Sequence, residues 1–159
     1  KKFVHNMSFK NPTTFVTACP IFRYAEILLN AAEALNEAKG PEAAYDYVNQ
    51  VRARVGMPAY KGMTKEQLRE RIRNERRIEL AFEGQRFWDL RRWLEAEKEL
   101  NEPLTGWNVV AADADGFYNN YQGPVVVWEK RGFLAPRDYF FPISSEVVQV
   151  SGVVQNPGW

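Results

Sequence analysis

Apolar residues recur every three to four positions along four stretches of the first hundred residues, and the third stretch changes chemistry halfway along. The first spacing predicts a helix over 21–39, with Pro20 at its first position, where a missing N–H costs nothing. Alanines at 25, 31, 32, 34 and 38 leave room for a neighbouring helix to approach closely. Gly40-Pro41 then stops one helix and starts the next with almost no loop, so the two should lie antiparallel. The second helix is expected over 41–55, packing through Ala44, Val48, Val51 and Val55 and ending at Gly56 and Pro58. Thr64 and Gln67 have capping-box spacing for a third helix, with Leu68 and Ile72 on its apolar face. At helical spacing that face continues through Glu75, Glu79, Phe82, Glu83 and Arg86 to an expected αL stop at Gly84. A fourth helix is expected from Gln85 to about Leu100, with Phe87, Leu90 and Leu94 inward and Trp88 and Trp93 flanking them.

The ionic half of that stripe calls for partners elsewhere. Glu75, Glu79 and Glu83 form one i,i+4 ridge, and Arg69, Arg73 and Arg77 form another, so each ridge repels itself. Only the offset pairs Arg71–Glu75, Arg76–Glu79 and Glu83–Arg86 help within the helix. The glutamates should therefore meet arginines and backbone amides of other segments in a partly buried network. The expected structural network comprises Glu75, Arg76, Glu79, Glu83, Arg86, Asp89 and Arg91.

The two ends read differently. Residues 1–18 are polar, interrupted by Pro12, and predict an extended lead-in pinned by Phe3, Phe9 and Phe15. After Asn101 helical periodicity stops, Gly and Pro recur, and aromatics are scattered. A short strand is expected at Val125–Trp128, an extended piece at Tyr139–Ile143 and a turn of helix from about Ser144. The chain thus reads as one mostly α region over 1–159. It has a lead-in over 1–20, a helical-hairpin scaffold over 21–100 and a loop-rich tail with short strands over 101–159. Gly40, Ala44, Val48, Val51 and Pro58 give the hairpin a tetratricopeptide-like pattern. Two such hairpins fall short of the roughly three an array needs, so something must cover the open end.

Composition removes several function classes. A length of 159 residues suffices for one domain with a real core, and five Trp, seven Tyr and ten Phe must be buried or used. A formal charge of +1, with no one-sided basic excess, gives no nucleic-acid footprint. The single Cys19 excludes an internal disulfide framework, and the single His5 excludes a His-based metal cluster. Val16-Thr17-Ala18-Cys19 superficially matches a lipoprotein cleavage box, yet polar residues and Pro12 precede it, so Cys19 reads as a buried structural thiol. No signal peptide or membrane-spanning run is present, and no cofactor motif appears.

Three constellations remain to weigh. The glutamate ridge has spacing compatible with paired glycosidase carboxylates, but its alternation with arginines and with Ile78, Leu80 and Phe82 favours a structural ion network over catalysis. Asp113, Asp115 and Gly116 suggest calcium, but Gln122 stands where an EF-hand needs Glu, so the segment reads as an Asp-Gly turn. Trp107, Tyr118, Tyr121 and Trp128 sit among Asn108, Asp113, Asn119, Asn120 and Gln122. Flat apolar faces beside amides and carboxylates are what a pyranose ring and its hydroxyls require, although the same aromatics could anchor loops.

Four strings carry a resemblance. ERRIELAFEGQRFWDLRRW at 75–93, FRYAEILLNAAEALNE at 22–37, VNQVRARVGMP at 48–58 and the closing QNPGW together resemble the C-terminal region of SusD-like (RagB/SusD) proteins. The resemblance implies a non-catalytic binding component of an outer-membrane importer of Bacteroidetes. Such a protein captures oligosaccharide or another small nutrient at the cell surface for a TonB-dependent SusC-like transporter. It also implies that the N-terminal half and a lipid anchor lie before Lys1, that this half covers the open end, and that the matched charged residues are scaffold positions. Two rivals stay open. A free-standing helical-repeat interaction module predicts an exposed apolar groove for a peptide. A glycoside hydrolase predicts two carboxylates facing an open cleft.

Overall fold

The computed structural model describes residues 21–106, 125–128 and 132–159, which divide between two compact units, Lys1–Arg86 and Phe87–Trp159. The described residues hold six α-helices, one 3-10 turn and one two-stranded sheet, so the protein is mostly helical.

In the first unit, α1 (Tyr24–Lys39) and α2 (Pro41–Ala53) are joined by Gly40 alone, whose φ of 92° reverses the chain. The two helices pack on each other, and a one-residue link permits that only if they run antiparallel. The first helix starts three residues later than its periodicity predicts, because Arg23 is extended (φ −129°, ψ 150°) and serves as the N-cap. Ile21 and Phe22 precede the helix and are exposed, and Pro20 lies outside the described residues. Helix α2 ends in a Schellman turn: the Met57 N–H reaches the Arg52 carbonyl (3.0 Å), the Gly56 N–H reaches that of Ala53 (3.1 Å), and Gly56 supplies φ 71°.

Helix α3 (Lys65–Glu79) opens with the reciprocal capping box its sequence predicts. The Gln67 N–H donates to Thr64 Oγ1 (3.2 Å), and the Thr64 N–H donates to Gln67 Oε1 (3.0 Å). Contacts with α1 pair rising with falling numbers: Lys65 and Arg69 with Glu37, Arg76 with Asn30, and Glu79 with Arg23. Helix α3 is therefore antiparallel to α1 and parallel to α2. Leu28, Leu29, Ala32, Ala44, Tyr45, Val48, Val51, Leu68, Ile72 and Leu80 fill the space between them. Each large aliphatic side chain buried there contributes roughly 1.5–3 kcal/mol relative to exposure.

The C-terminal end of α3 departs from its periodicity. The helix closes at Leu80, and residues 80–84 form a turn in which Phe82 (φ 66°) and Gly84 (φ 80°) are both left-handed. Phe82 consequently leaves the inner stripe and is 93% exposed. The unwinding keeps Leu80 buried in the core while the Glu83 carboxylate reaches Arg23 on α1.

The expected single helix from Gln85 to about Leu100 is two: α4 (Gln85–Arg92) and α5 (Ala96–Asn101). Leu94 (φ 58°) takes the left-handed position of another Schellman turn, with the Glu95 N–H on the Leu90 carbonyl (2.9 Å) and the Leu94 N–H on that of Arg91 (3.1 Å). Leu94 is exposed as a result, and Leu90, Ala96 and Phe133 form the core, with Leu100 and Tyr139 against it. Strand β1 (Leu104–Gly106) pairs antiparallel with β2 (Val125–Trp128), the strand expected from sequence.

The tail holds itself by backbone mimicry. Asn101 pairs its side-chain amide with both backbone groups of Phe133 (3.0 and 2.8 Å), and Gln155 does the same to Ile143 (2.7 and 2.8 Å). A 3-10 turn at Arg137–Tyr139 leads through extended residues to α6 (Ser145–Ser151), whose N-cap is Ser144. Asn156 donates to the Phe141 carbonyl (2.6 Å), and the Trp159 indole N–H reaches the carbonyls of Arg137 and Phe140 (3.1 and 3.2 Å). Gly158 (φ 86°) lies so close to Arg137 that a Cβ there would meet its Cβ at 2.8 Å. The closing Gln-Asn-Pro-Gly-Trp is thus a clamp on the backbone of 137–143.

Candidate functional site

The charged ridge of α3 is answered from α1 and α2. Arg23 sets its Nε and Nη2 on the two carboxylate oxygens of Glu83, each at 2.8 Å. Its Nη1 reaches Glu79 Oε1 (2.9 Å), and Nη2 also reaches the Glu79 carbonyl (2.8 Å). Arg54, at the end of α2, takes the other Glu79 oxygen at 2.8 Å. Hydrogen bonds to Glu83 and Glu79 raise the Arg23 pKa above its ordinary value. One guanidinium therefore ties the start of α1 to both the end of α3 and the turn that follows.

A second knot lies one helical turn earlier. Arg52 is buried and donates to Glu75 Oε2 (2.7 Å), to the Tyr60 hydroxyl (2.9 Å) and, through Nε, to the Pro58 carbonyl (2.7 Å). Tyr60 donates in turn to Glu75 (3.2 Å), and burial followed by the Glu75 charge pushes its pKa up. Asn49 pairs with both backbone groups of Tyr60 (3.0 and 2.8 Å), which fixes the ring beside Arg52. Arg76 is buried against Asn30, with Glu33 at 3.8 Å. Side-chain exposures of 13% for Glu75, 14% for Glu79 and 7% for Glu83 show carboxylates directed into the protein rather than into an open cleft.

In the second unit, Asp89 is buried and held by Arg92 at 2.8 Å. The Arg91 guanidinium lies over the Phe87 ring (3.6 Å to its centroid) and reaches the Phe87 carbonyl at 3.3 Å. Phe87 also stacks on Phe141 and meets Trp88 edge-on. Arg86 is the second residue of α4.

Of the four aromatics expected to meet sugar, Trp107, Tyr118 and Tyr121 lie outside the described residues, as do Asp113, Asp115, Gly116, Asn119 and Asn120. Trp128 closes β2, its backbone in register with Leu104. Cys19 and His5 also lie outside them. Among the described residues no group of three His, Cys, Asp or Glu could hold a metal ion, and no helix is long and apolar enough to cross a membrane. Sequence spacing did not reveal Arg23, Arg52, Arg54, Tyr60 or Asn30 as partners of the ridge. Each lies 15–60 residues away in sequence, and only the antiparallel return of α1 brings Arg23 to Glu79 and Glu83.

Fold and site together define a helical-hairpin scaffold whose charged ridge is neutralised from within. The chain belongs to the SusD family, whose model matches residues 1–159. It is 36% identical over 148 residues to SusD-like protein P2 of Formosa agariphila, an alignment covering 86% of this chain and 25% of that protein. SusD-like protein P25 of the same organism is 43% identical over 77 residues, 46% of this chain and 15% of its own. Among solved structures, a SusD-like protein of Bacteroides fragilis superposes with a TM-score of 0.73 at 40% identity, over 87% of this chain and 25% of that one. A SusD-like carbohydrate binding protein of the same organism gives 0.68 at 33% identity, over 89% and 30%. The chain spans about a quarter or less of the length of the curated relatives it matches.

Proposed function

We propose that this chain is a non-catalytic part of a SusD-like binding protein of the outer membrane, exposed at the cell surface and anchored by lipid. In this reading the whole protein captures oligosaccharide and presents it to a TonB-dependent SusC-like transporter. The observation that carries it is the family match over the whole chain, with a carbohydrate binding protein among the structural relatives. The ridge geometry supports the non-catalytic half of the statement. A glycosidase needs two carboxylates facing a substrate, whereas Glu75, Glu79 and Glu83 are engaged by Arg52, Arg54 and Arg23. Within this reading the helices serve as scaffold over 21–100, and Trp107, Tyr118, Tyr121 and Trp128 supply stacking faces for sugar rings.

Calorimetric titration with a panel of plant, host and microbial oligosaccharides tests it, using this chain and one extended upstream to the length of its relatives. Saturable binding with recovery of uncut ligand is expected. Silence of both chains across the panel, or newly formed reducing ends, would remove the reading.

One observation favours a second reading, a helical-repeat module that binds a peptide. Ile21, Phe22, Tyr24 and Ile27 are exposed around the start of α1, and Tyr24, Ala25, Leu28 and Val51 line a cleft of about 360 Å³ together with Arg23, Gln50 and Arg54. That module predicts that apolar helical peptides bind where sugars do not.

A further inference from the structure

Helix α3 carries a second feature, on the side away from its core stripe. Gln67, Glu70, Arg71 and Asn74 recur at i, i+3, i+4 and i+7 and, with Met63, line a cleft of about 400 Å³. That volume lies toward the lower end of the range for small-molecule sites. One wall is fixed: the Met63 backbone N–H donates to the Tyr45 hydroxyl at 2.7 Å, and Tyr45 itself is buried in the core. Gln67 is fixed as well, because its Oε1 accepts from the Thr64 N–H in the capping box (3.0 Å), which leaves its Nε2 hydrogens as donors.

The charged residues of α3 differ in how far they are committed to partners. Arg69 is committed to Glu37 at 2.6 Å, and Arg76 is buried against Asn30. Arg71 and Asn74 make no side-chain hydrogen bond or ion pair among the described residues, and Glu70 has only a loose contact with Arg73 at 3.5 Å, its side chain 71% exposed. A guanidinium, two amides and a carboxylate therefore meet in one concavity with spare hydrogen-bonding capacity.

We propose that this cleft is a subsite for one uncharged pyranose unit. The inference rests on the carbohydrate reading above and adds a location to it. A vicinal diol presents hydroxyl hydrogens and oxygen lone pairs side by side. Glu70 accepts the former, while Arg71, Asn74 and Gln67 Nε2 donate to the latter. The Met63 side chain offers an apolar surface to the ring C–H groups. Glu70 and Arg71 are of opposite sign, so the cleft has no net charge to attract an ion. A carboxylate or sulfate on the sugar would gain Arg71 and meet repulsion from Glu70. A single sugar in so open a site should bind with a Kd on the order of 1–10 mM.

The test is ¹H–¹⁵N NMR of the chain titrated with methyl glycosides of glucose, galactose, mannose and xylose, read at Arg71 Nε–H, Asn74 Nδ2 and Gln67 Nε2. At least one glycoside should shift all three signals saturably, and methyl glucuronide should bind no more tightly than the best neutral one. R71A and N74A should each weaken binding at least threefold with otherwise unchanged spectra, since neither side chain makes a hydrogen bond or ion pair among the described residues. Absence of saturable shifts at these groups, or shifts that survive both substitutions, overturns the proposal. If oligosaccharide binds in calorimetry while these signals stay still, only the subsite is lost. If no sugar binds at all, the carbohydrate reading falls with it.

Discussion

Arg23 and Glu83 meet as a two-pronged pair, Nε on Oε2 and Nη2 on Oε1, each at 2.8 Å, across 60 residues of sequence. The pair matters because Glu83 sits on a turn with two left-handed residues, Phe82 and Gly84. Left-handed backbone at a non-glycine residue costs roughly 1–2 kcal/mol, and the guanidinium clamp offsets that cost.

Replacing Arg23 with Lys should show how much of the clamp is geometry rather than charge. An ammonium cannot make the fork to Glu83 and still reach Glu79, and the carboxylates it leaves are mostly buried. A loss of about 2–4 kcal/mol is expected in urea denaturation for Arg23→Ala, with Arg23→Lys recovering less than half of it. Full recovery by lysine would show that charge alone suffices.

Two positions should gain stability from glycine. Leu94 and Phe82 are left-handed and 73% and 93% exposed, so they hold strain while burying little. Leu94→Gly should stabilise by about 0.5–1 kcal/mol, read as a higher denaturation midpoint at an unchanged slope. A destabilised Leu94→Gly variant would mean that the side chain packs in a way its exposure hides.

Acid should weaken the protein in a definable window. Arg69 first, and Lys65 with it, hold the Glu37 carboxyl down to about 2 from its ordinary 4.5. A carboxyl depressed on folding stabilises above its unfolded value, and that contribution disappears as pH falls from about 4.5 toward about 2. Glu37 is 39% exposed, so solvent screening limits the effect to about 1 kcal/mol. Glu37→Gln should flatten the acid limb of stability against pH over that range. A carboxyl ¹³C titration of Glu37 with a midpoint near 4.5 would contradict the assignment.

The tail clamp predicts a local effect. Gln155→Ala removes both bonds to Ile143, so the Ile143 amide should exchange with solvent about 5–30-fold faster, as expected for about 1–2 kcal/mol of lost protection. Amides of the first unit should be unaffected.

Which of these features could be read in the sequence follows from their range. Thr64 and Gln67, Gly40-Pro41, Gly56 and Ser144 act within a few residues, and the caps and turns they predict are present. The turn at Phe82 and the break at Leu94 were not legible, because a leucine and a phenylalanine occupy positions where glycine normally marks the left-handed residue. At Phe82 a bond formed only after the chain has folded back, Arg23 on Glu83, holds the conformation, whereas at Leu94 the local Schellman bond of the Glu95 amide on the Leu90 carbonyl does so. The like-charge ridge did imply partners elsewhere, since repulsion at i,i+4 is a local fact. Naming Arg23, Arg52 and Arg54 required the packing of α1 and α2 against α3, which no spacing encodes.

The most direct test of the central claim is to measure stability and sugar affinity together on Glu79→Ala, in the chain extended to the length of its relatives. The Glu79 carboxylate bridges Arg23 and Arg54, and its side chain is only 14% exposed. If the ridge is scaffold, about 2–4 kcal/mol should be lost, a fall of roughly 1–4 °C in the thermal midpoint of a chain of that length, while oligosaccharide affinity below the transition stays within twofold of the parent. An unchanged midpoint with lost affinity would contradict the account and place Glu79 in the binding site.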